Sequence, residues 1–188
     1  MLQIIKADRR KGKTYFLGEV LKEHIRKEGE FEPFIIFKSK QMMDQFIKDS
    51  NQKFNIESFK DYNPILFEGE LVTIVNNDLT FNFINKCLRG YALSPQNKNV
   101  SKLVLIDNFE MFYKSNSNQL FKMIFKTFKD YLDYCIPHFK RLSSLYNIDF
   151  IITCYDNENE DENIIKVSHY NSDKLISELI KGRFQTHE

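Results

Sequence analysis

Short runs of apolar residues alternate along the chain with longer segments whose apolar residues recur at helical spacing. This rhythm predicts an α/β fold, with a mainly parallel central sheet flanked by helices. The predicted strands are residues 2–6, 34–37, 71–75, 102–106, 149–153 and 164–168. The predicted helices are residues 12–27, 41–49, 81–92 and 119–146, the last interrupted near Pro137, with a short helix or strand at 174–181. Residues 61–70 are predicted to form a loop, and nothing divides residues 1–188 into two domains.

Composition limits the classes of function that fit this pattern. The chain has 188 residues, 42% hydrophobic and 28% charged, which is typical of one soluble domain with a real core. A formal net charge of +1 gives no global electrostatic argument for nucleic-acid binding. Aromatic residues at helical spacing around Tyr131 are predicted to be core rather than a base-stacking surface.

The expected location is the cytoplasm, without contact with a membrane. No segment approaches the roughly 18 apolar residues that a membrane span requires, and the first ten residues lack a signal peptide. The three cysteines, Cys87, Cys135 and Cys154, are widely spaced and without metal-ligand spacing. They are expected to be reduced, mostly buried thiols.

The strongest chemical signal follows the first predicted strand. Residues 7–14 read Ala-Asp-Arg-Arg-Lys-Gly-Lys-Thr and open a predicted helix, which is the context of a phosphate-binding P-loop. Backbone N–H groups and the positive helix end would cradle phosphates, Lys13 would reach the β- and γ-phosphates, and the Thr14 hydroxyl would hold Mg²⁺. The predicted nucleotide-binding residues are Ala7, Asp8, Arg9, Arg10, Lys11, Gly12, Lys13, Thr14 and Tyr15. The alternative is a basic loop that caps a helix, since the usual pattern has glycine where Ala7 stands.

A second motif supports the first. Residues 103–107 read Leu-Val-Leu-Ile-Asp, and in a parallel sheet Asp107 would emerge at the carboxyl end of its strand, beside the P-loop. There it would hold Mg²⁺ through water, the Walker B role. Many buried strands end in aspartate, so the motif gains its weight from being paired with the P-loop.

With these two motifs the chain resembles the RecA-fold motor domain of DnaB-type replicative helicases. That family's P-loop commonly begins with alanine, in the form Ala-Arg-Pro-Ser-Met-Gly-Lys-Thr, so Ala7 agrees with it. Residues 106–111, Ile-Asp-Asn-Phe-Glu-Met, stand where the family has Val-Asp-Tyr-Leu-Gln-Leu. Residues 139–152 resemble the family's helix running into its sensor strand. The resemblance implies ATP and Mg²⁺ as ligands, assembly into a homo-oligomer or with a related RecA-fold subunit, and contact with single-stranded DNA.

Several positions depart from the family. Lys40 stands where the family has the catalytic glutamate that polarises water, and Tyr155 replaces its sensor glutamine. Loss of a positioned base slows a reaction by about 10²–10⁴-fold. Glu110 replaces the glutamine after the Walker B strand and is the candidate catalytic substitute. The alternative for Glu110 is an exposed carboxylate.

The chain's later segments carry weaker signals. Lys181-Gly182-Arg183 resembles the family's Lys-x-Arg, so Arg183 is a candidate catalytic residue that acts across a subunit boundary. The alternative is an ordinary solvated arginine. Where the family has DNA-contacting loops, residues 114–118 are polar and residues 156–162 are acidic and would repel phosphates. The P-loop strand begins at residue 2, so the family's amino-terminal domain is expected to be absent.

Two functions fit these residues. The first is an ATP-binding accessory or slow ATPase in DNA replication or recombination. The second is a catalytically degenerate RecA-fold subunit that acts structurally or as a regulator through protein–protein contacts. A third hypothesis, another P-loop class such as a DNA-packaging ATPase or a small kinase, has less support from the residues.

Overall fold

The computed structural model describes residues 1–6, 13–25, 31–53, 64–88, 101–155 and 164–166. Six strands form one sheet in the order β3-β2-β6-β7-β1-β8, and every neighbouring pair is parallel. The strands are β1 Leu2–Lys6, β2 Phe31–Phe37, β3 Pro64–Leu66, β4 Val72–Val75, β5 Asp78–Phe81, β6 Ser101–Ile106, β7 Ile148–Cys154 and β8 Ile164–Lys166. The predicted α/β architecture with a mainly parallel sheet is therefore confirmed.

Helices cover both faces of this sheet. They are α1 Lys13–Ile25, α2 Lys40–Lys53, α3 Glu110–Lys114, α4 Gln119–Ile124 and α5 Phe128–Tyr146, with a π-helical segment at Ile84–Leu88. Helices α1 and α2 pack on one face, and α5 packs on the other. Because side chains alternate along a strand and both faces are buried, the central strands are apolar over most of their length.

The alternation is clearest in β6. Leu103 and Leu105 join the core beneath α1 and α2, whereas Val104 and Ile106 join the core beneath α5. The second core is rich in aromatic rings, and Tyr131 is 1% exposed at its centre. The interpretation of the helical aromatics as core is confirmed, and all three cysteines are buried free thiols.

The segment between α2 and β6 was predicted least well. Residues 64–66 were predicted as loop but form β3 at the sheet edge, paired with β2. Residues 71–75 were predicted as a strand, yet β4 lies outside the central sheet and pairs antiparallel with β5. The predicted helix 81–92 is wrong at its start, because Phe81 ends β5. Asn76 and Asn77 both have positive φ, 51° and 65°, as a tight two-residue hairpin turn requires.

The long predicted helix is broken at another place than expected. Pro137 lies inside α5, which continues without interruption from residue 128 to residue 146. The break falls at residues 125–127 instead, because Thr127 and Asp130 form a capping box that starts a new helix. The Thr127 hydroxyl accepts from the Asp130 N–H at 3.2 Å, and the Asp130 carboxylate accepts from the Thr127 N–H at 2.8 Å.

Some predictions fall on residues that the structure does not describe. They concern the P-loop residues 7–12, the acidic segment 156–162 and the carboxyl-terminal segment 174–183 with Arg183. Among the described helices, none has the length and apolar character that crossing a membrane would require.

Candidate functional site

The two predicted metal-binding side chains meet at the carboxyl end of the sheet. Thr14 is the second residue of α1, and Asp107 follows β6 directly. The Thr14 Oγ1 donates a hydrogen bond to Asp107 Oδ2 at 2.8 Å, although the two residues lie 93 positions apart in sequence. Strand β7 lies between β1 and β6, so the contact reaches across an intervening strand.

That intervening strand supplies a third side chain. Thr153, near the end of β7, is fully buried, and its Oγ1 donates to Asp107 Oδ1 at 2.8 Å. The same hydroxyl accepts from the Asn108 N–H at 3.0 Å, and the Phe109 N–H donates to the Thr153 carbonyl at 2.8 Å. Thr153 therefore fixes both the carboxylate and the turn that follows it. Sequence reasoning missed Thr153, whose signal was only a hydroxyl residue at the end of a buried strand.

Asp107 sits in an environment that disfavours its negative charge. The residue is 1% exposed, and burial raises the pKa of its carboxyl. Hydrogen bonds from Thr153 and Thr14, the charge of Lys13 and the Asn108 N–H oppose that rise in pKa. A cation bound to the carboxylate would offset the cost of burying it.

The donors around Asp107 fit Mg²⁺. Mg²⁺ prefers hard oxygen ligands and is usually held by one or two protein groups together with phosphate oxygens and water. Thr14 gives its hydroxyl hydrogen to Asp107, which leaves the oxygen lone pairs of Thr14 available to a cation. Among the described residues, neither this site nor any other place contains a group of three or more His, Cys, Asp or Glu side chains that could hold a metal ion.

Lys13 and Tyr15 flank Thr14 on α1 and differ in exposure. Lys13 is buried at 8% exposure, and its Nζ lies 5.6 Å from the centre of the Tyr155 ring. Tyr15 is 40% exposed. The lysine of the predicted P-loop thus lies in the same cluster as Asp107, whose pKa its charge lowers.

Glu110 belongs to this cluster as well. It is the first residue of α3, it is 6% exposed, and its Oε2 accepts from the Tyr155 N–H at 3.0 Å. Burial raises the pKa of Glu110. Hydrogen bonds from the Tyr155 N–H and its own backbone N–H, together with the charges of Lys13 and Lys114, oppose this rise. The alternative interpretation of Glu110 as an exposed carboxylate is therefore wrong. Its observed contact anchors the backbone that leaves β7.

Tyr155 has a second cationic neighbour. The Lys114 Nζ, from the last residue of α3, lies 5.5 Å from the centre of the same ring. Sequence reasoning treated Lys114 only as the start of a polar segment. Its position beside Tyr155 follows from the short helix α3, which the periodicity did not reveal.

The region after β2 contains two lysines in different settings. Lys40, the predicted replacement of a catalytic base, is the exposed first residue of α2. Lys38 follows β2 directly, is buried, and donates to the carbonyl oxygens of Glu68 and, at 2.7 Å, of Gly69. Burial lowers the pKa of Lys38, although the charges of Glu70 and Glu68 raise it. Lys38 therefore ties the end of β2 to the segment after β3.

Comparison with protein-family models finds no match for this chain, and comparison with curated proteins finds no significant match.

Proposed function

We propose that the chain is a RecA-like P-loop protein that binds ATP with Mg²⁺ through Lys13, Thr14 and Asp107. The observation that carries this proposal is the hydrogen bond between Thr14 and Asp107. These two side chains belong to separate sequence motifs, and each was predicted to bind the same metal ion. They are in direct contact at the carboxyl end of parallel strands. Ligands of open α/β sheets bind at that end.

The surroundings of this pair support phosphate as the ligand. Residues 7–12 connect the end of β1 to the start of α1, and Lys13 is the first residue of that helix. The positive end of a helix and a neighbouring lysine together favour a bound phosphate. Thr14 and Asp107 would hold Mg²⁺, which would neutralise phosphate charge when bound. Thr153 would keep the Asp107 carboxylate in place.

Slow hydrolysis is the expected consequence of the residues around the phosphates. Lys40 has a positive charge at the position where the DnaB-type helicases, which this chain resembles, have a catalytic base. Glu110, the candidate substitute for that base, already accepts a backbone hydrogen bond from Tyr155. The proposed role is an accessory or slow ATPase in DNA replication or recombination, related to the motor domains of DnaB-type helicases. The same proposal includes assembly with copies of this chain or with a related subunit, in which Arg183 would act in trans. It also includes binding of single-stranded DNA.

A second candidate is a catalytically degenerate RecA-fold subunit that binds partner proteins. The specific observation in its favour is the part-buried hydrogen bond from the Tyr155 N–H to Glu110, which gives one carboxylate oxygen a structural contact. Under this hypothesis nucleotide binding persists while turnover is absent, with and without single-stranded DNA. Measurable turnover that single-stranded DNA increases would support the first role instead.

The binding proposal is tested with a non-hydrolysable ATP analogue and Mg²⁺ in a thermal unfolding assay. Ligand at about 100 times its Kd stabilises the folded state by about 2.7 kcal/mol. For a chain of this length that corresponds to a rise in Tm of roughly 5–11 °C. Lys13→Ala should abolish the rise, whereas Lys129→Ala should keep it, because Lys129 pairs with Asp133 on the exposed side of α5. Equal stabilisation of wild type and Lys13→Ala would overturn the site.

A further inference from the structure

The Tyr155 ring is the common neighbour of two lysines from different helices. Lys13 begins α1 and Lys114 ends α3, and their ammonium groups lie 5.6 Å and 5.5 Å from the ring centre. The backbone of Tyr155 is held in place by the buried Glu110 carboxylate. Glu110 is influenced by the charges of both lysines, which lower its pKa. The two ammonium groups therefore share one polar cluster.

The two lysines differ in how they are packed. Lys13 is buried, whereas Lys114 is exposed at the end of its helix. A lysine side chain has a long flexible stem and three donors, so an exposed Lys114 can turn toward a ligand at little cost. Lys114 is therefore a second cation, contributed by α3, with the same aromatic ring as its neighbour.

The position of α3 determines which part of a ligand Lys114 would meet. Helix α3 starts three residues after Asp107, at the carboxyl end of β6. Thr14 and Asp107 would hold a Mg²⁺ ion that neutralises charge on the terminal phosphates of a nucleotide. Because Lys114 comes from the helix that follows this aspartate, it would approach such a ligand from the side of its terminal phosphates.

Charge balance points the same way. Lys13, Lys114, Asp107 and Glu110 have a combined formal charge of zero when all four are ionised. With the Mg²⁺ of the proposed site these four residues would have a net charge of +2, and of +1 without Lys114, so Lys114 would add attraction for the extra negative charge that a γ-phosphate brings. A compensating cation at this place matters more for a triphosphate than for a diphosphate.

We propose that Lys114 is a second phosphate-binding lysine, which contacts the terminal phosphate and gives the site a preference for nucleoside triphosphates over diphosphates. This inference rests on the proposed function, in which Lys13, Thr14 and Asp107 hold a nucleotide with Mg²⁺.

The test is calorimetric titration of the full chain with a non-hydrolysable ATP analogue and with ADP, both in excess Mg²⁺. Lys114→Met should weaken binding of the ATP analogue by about tenfold, the low end for a hydrogen bond to a charged group, and leave ADP affinity within about twofold. Lys114→Arg, which keeps the charge, should restore most of the preference. Lys129→Met serves as the matched control, since it removes an exposed helical lysine that pairs with Asp133.

The Lys13→Ala variant separates the two ways in which this could fail. If Lys13→Ala loses both ligands while Lys114→Met binds both like wild type, or weakens both equally, Lys114 does not recognise the terminal phosphate and the inference is overturned. If Lys13→Ala binds both ligands like wild type, the proposed function itself fails, and the inference fails with it.

Discussion

Replacing Thr153 by valine tests the hydrogen-bond network of the site with little change of shape. Thr153 is fully buried, its hydroxyl donates to Asp107, and it accepts from the Asn108 N–H. Valine fills nearly the same volume, so the variant creates no large cavity. What it removes is a donor to a buried carboxylate and an acceptor for a backbone N–H.

The expected loss of stability follows from those two contacts. A hydrogen bond to a charged group contributes about 1.5–3 kcal/mol, and the neutral, part-buried hydrogen bond from the Asn108 N–H about 0.5–1.5 kcal/mol. Because the two effects share one hydroxyl and valine gains apolar contact, we expect a combined loss of about 3 kcal/mol. In a domain of 188 residues this lowers Tm by roughly 6–12 °C. Urea unfolding without ligand measures the free energy directly.

A matched variant and a double-mutant cycle show whether the effect comes from Asp107. Thr73→Val removes a hydroxyl that accepts from the Asn82 side-chain amide at 2.8 Å, a neutral contact in the hairpin, and should cost only about 0.5–1.5 kcal/mol. In an Asp107→Asn background, Thr153→Val should cost less than in wild type, with a coupling of at least about 1 kcal/mol. Additive effects, or a Thr153→Val cost no larger than that of Thr73→Val, would refute this account of the carboxylate.

Three further outcomes are expected. Asp107→Asn should stabilise the ligand-free protein at neutral pH and abolish stabilisation by Mg²⁺ with the ATP analogue. Because burial raises the pKa of Asp107, the gain in unfolding free energy should shrink in urea titrations as the pH falls through the raised pKa. A gain that grew toward acid pH would contradict this expectation. Lys40→Glu should raise ATP turnover by roughly tenfold or more, since a positioned base contributes about 10²–10⁴-fold; unchanged turnover with intact binding would show that Lys40 does not stand at the base position. Arg183→Ala should weaken analogue-dependent association in light scattering without loss of nucleotide binding, and identical scattering by wild type and variant would exclude Arg183 as a trans residue.

The sequence was sufficient for the strands that the sheet buries on both faces. The predicted strand 2–6 has the observed bounds, strand 102–106 lacks only the first residue of β6, and strand 149–153 lacks one residue at each end of β7. Continuous apolar runs of this length have few alternatives. Strand β3 was missed because it has only three residues and begins with Pro64, whose pairing with β2 depends on tertiary structure. The hairpin was missed because the Asn76-Asn77 turn was not recognised.

The site likewise contains residues that local motifs predict and residues that only the tertiary structure brings into place. Lys13, Thr14 and Asp107 belong to local motifs, so their residue types and spacing were visible in the sequence. Thr153 acquires its role only because β7 is inserted between β1 and β6, and strand order is not encoded in periodicity. Lys114 acquires its place beside Tyr155 only through α3, a five-residue helix too short to show a pattern.

The partners of the buried charged groups distinguish the proposed site from ordinary structural contacts. Lys38 is buried too, but its ammonium group donates to two backbone carbonyl oxygens, and such pairing is how a fold accommodates a buried charge. Burial shifts the pKa of both groups toward the neutral form, lowering that of Lys38 and raising that of Asp107, so the shift alone does not distinguish them. Asp107 differs in its neighbours, because it accepts a hydrogen bond from Thr14 at the start of α1 and lies in the field of Lys13. A hydroxyl and a carboxylate beside a lysine are the groups that Mg²⁺ and a phosphate would complete, and that is the physical reason for proposing a function for Asp107 and not for Lys38.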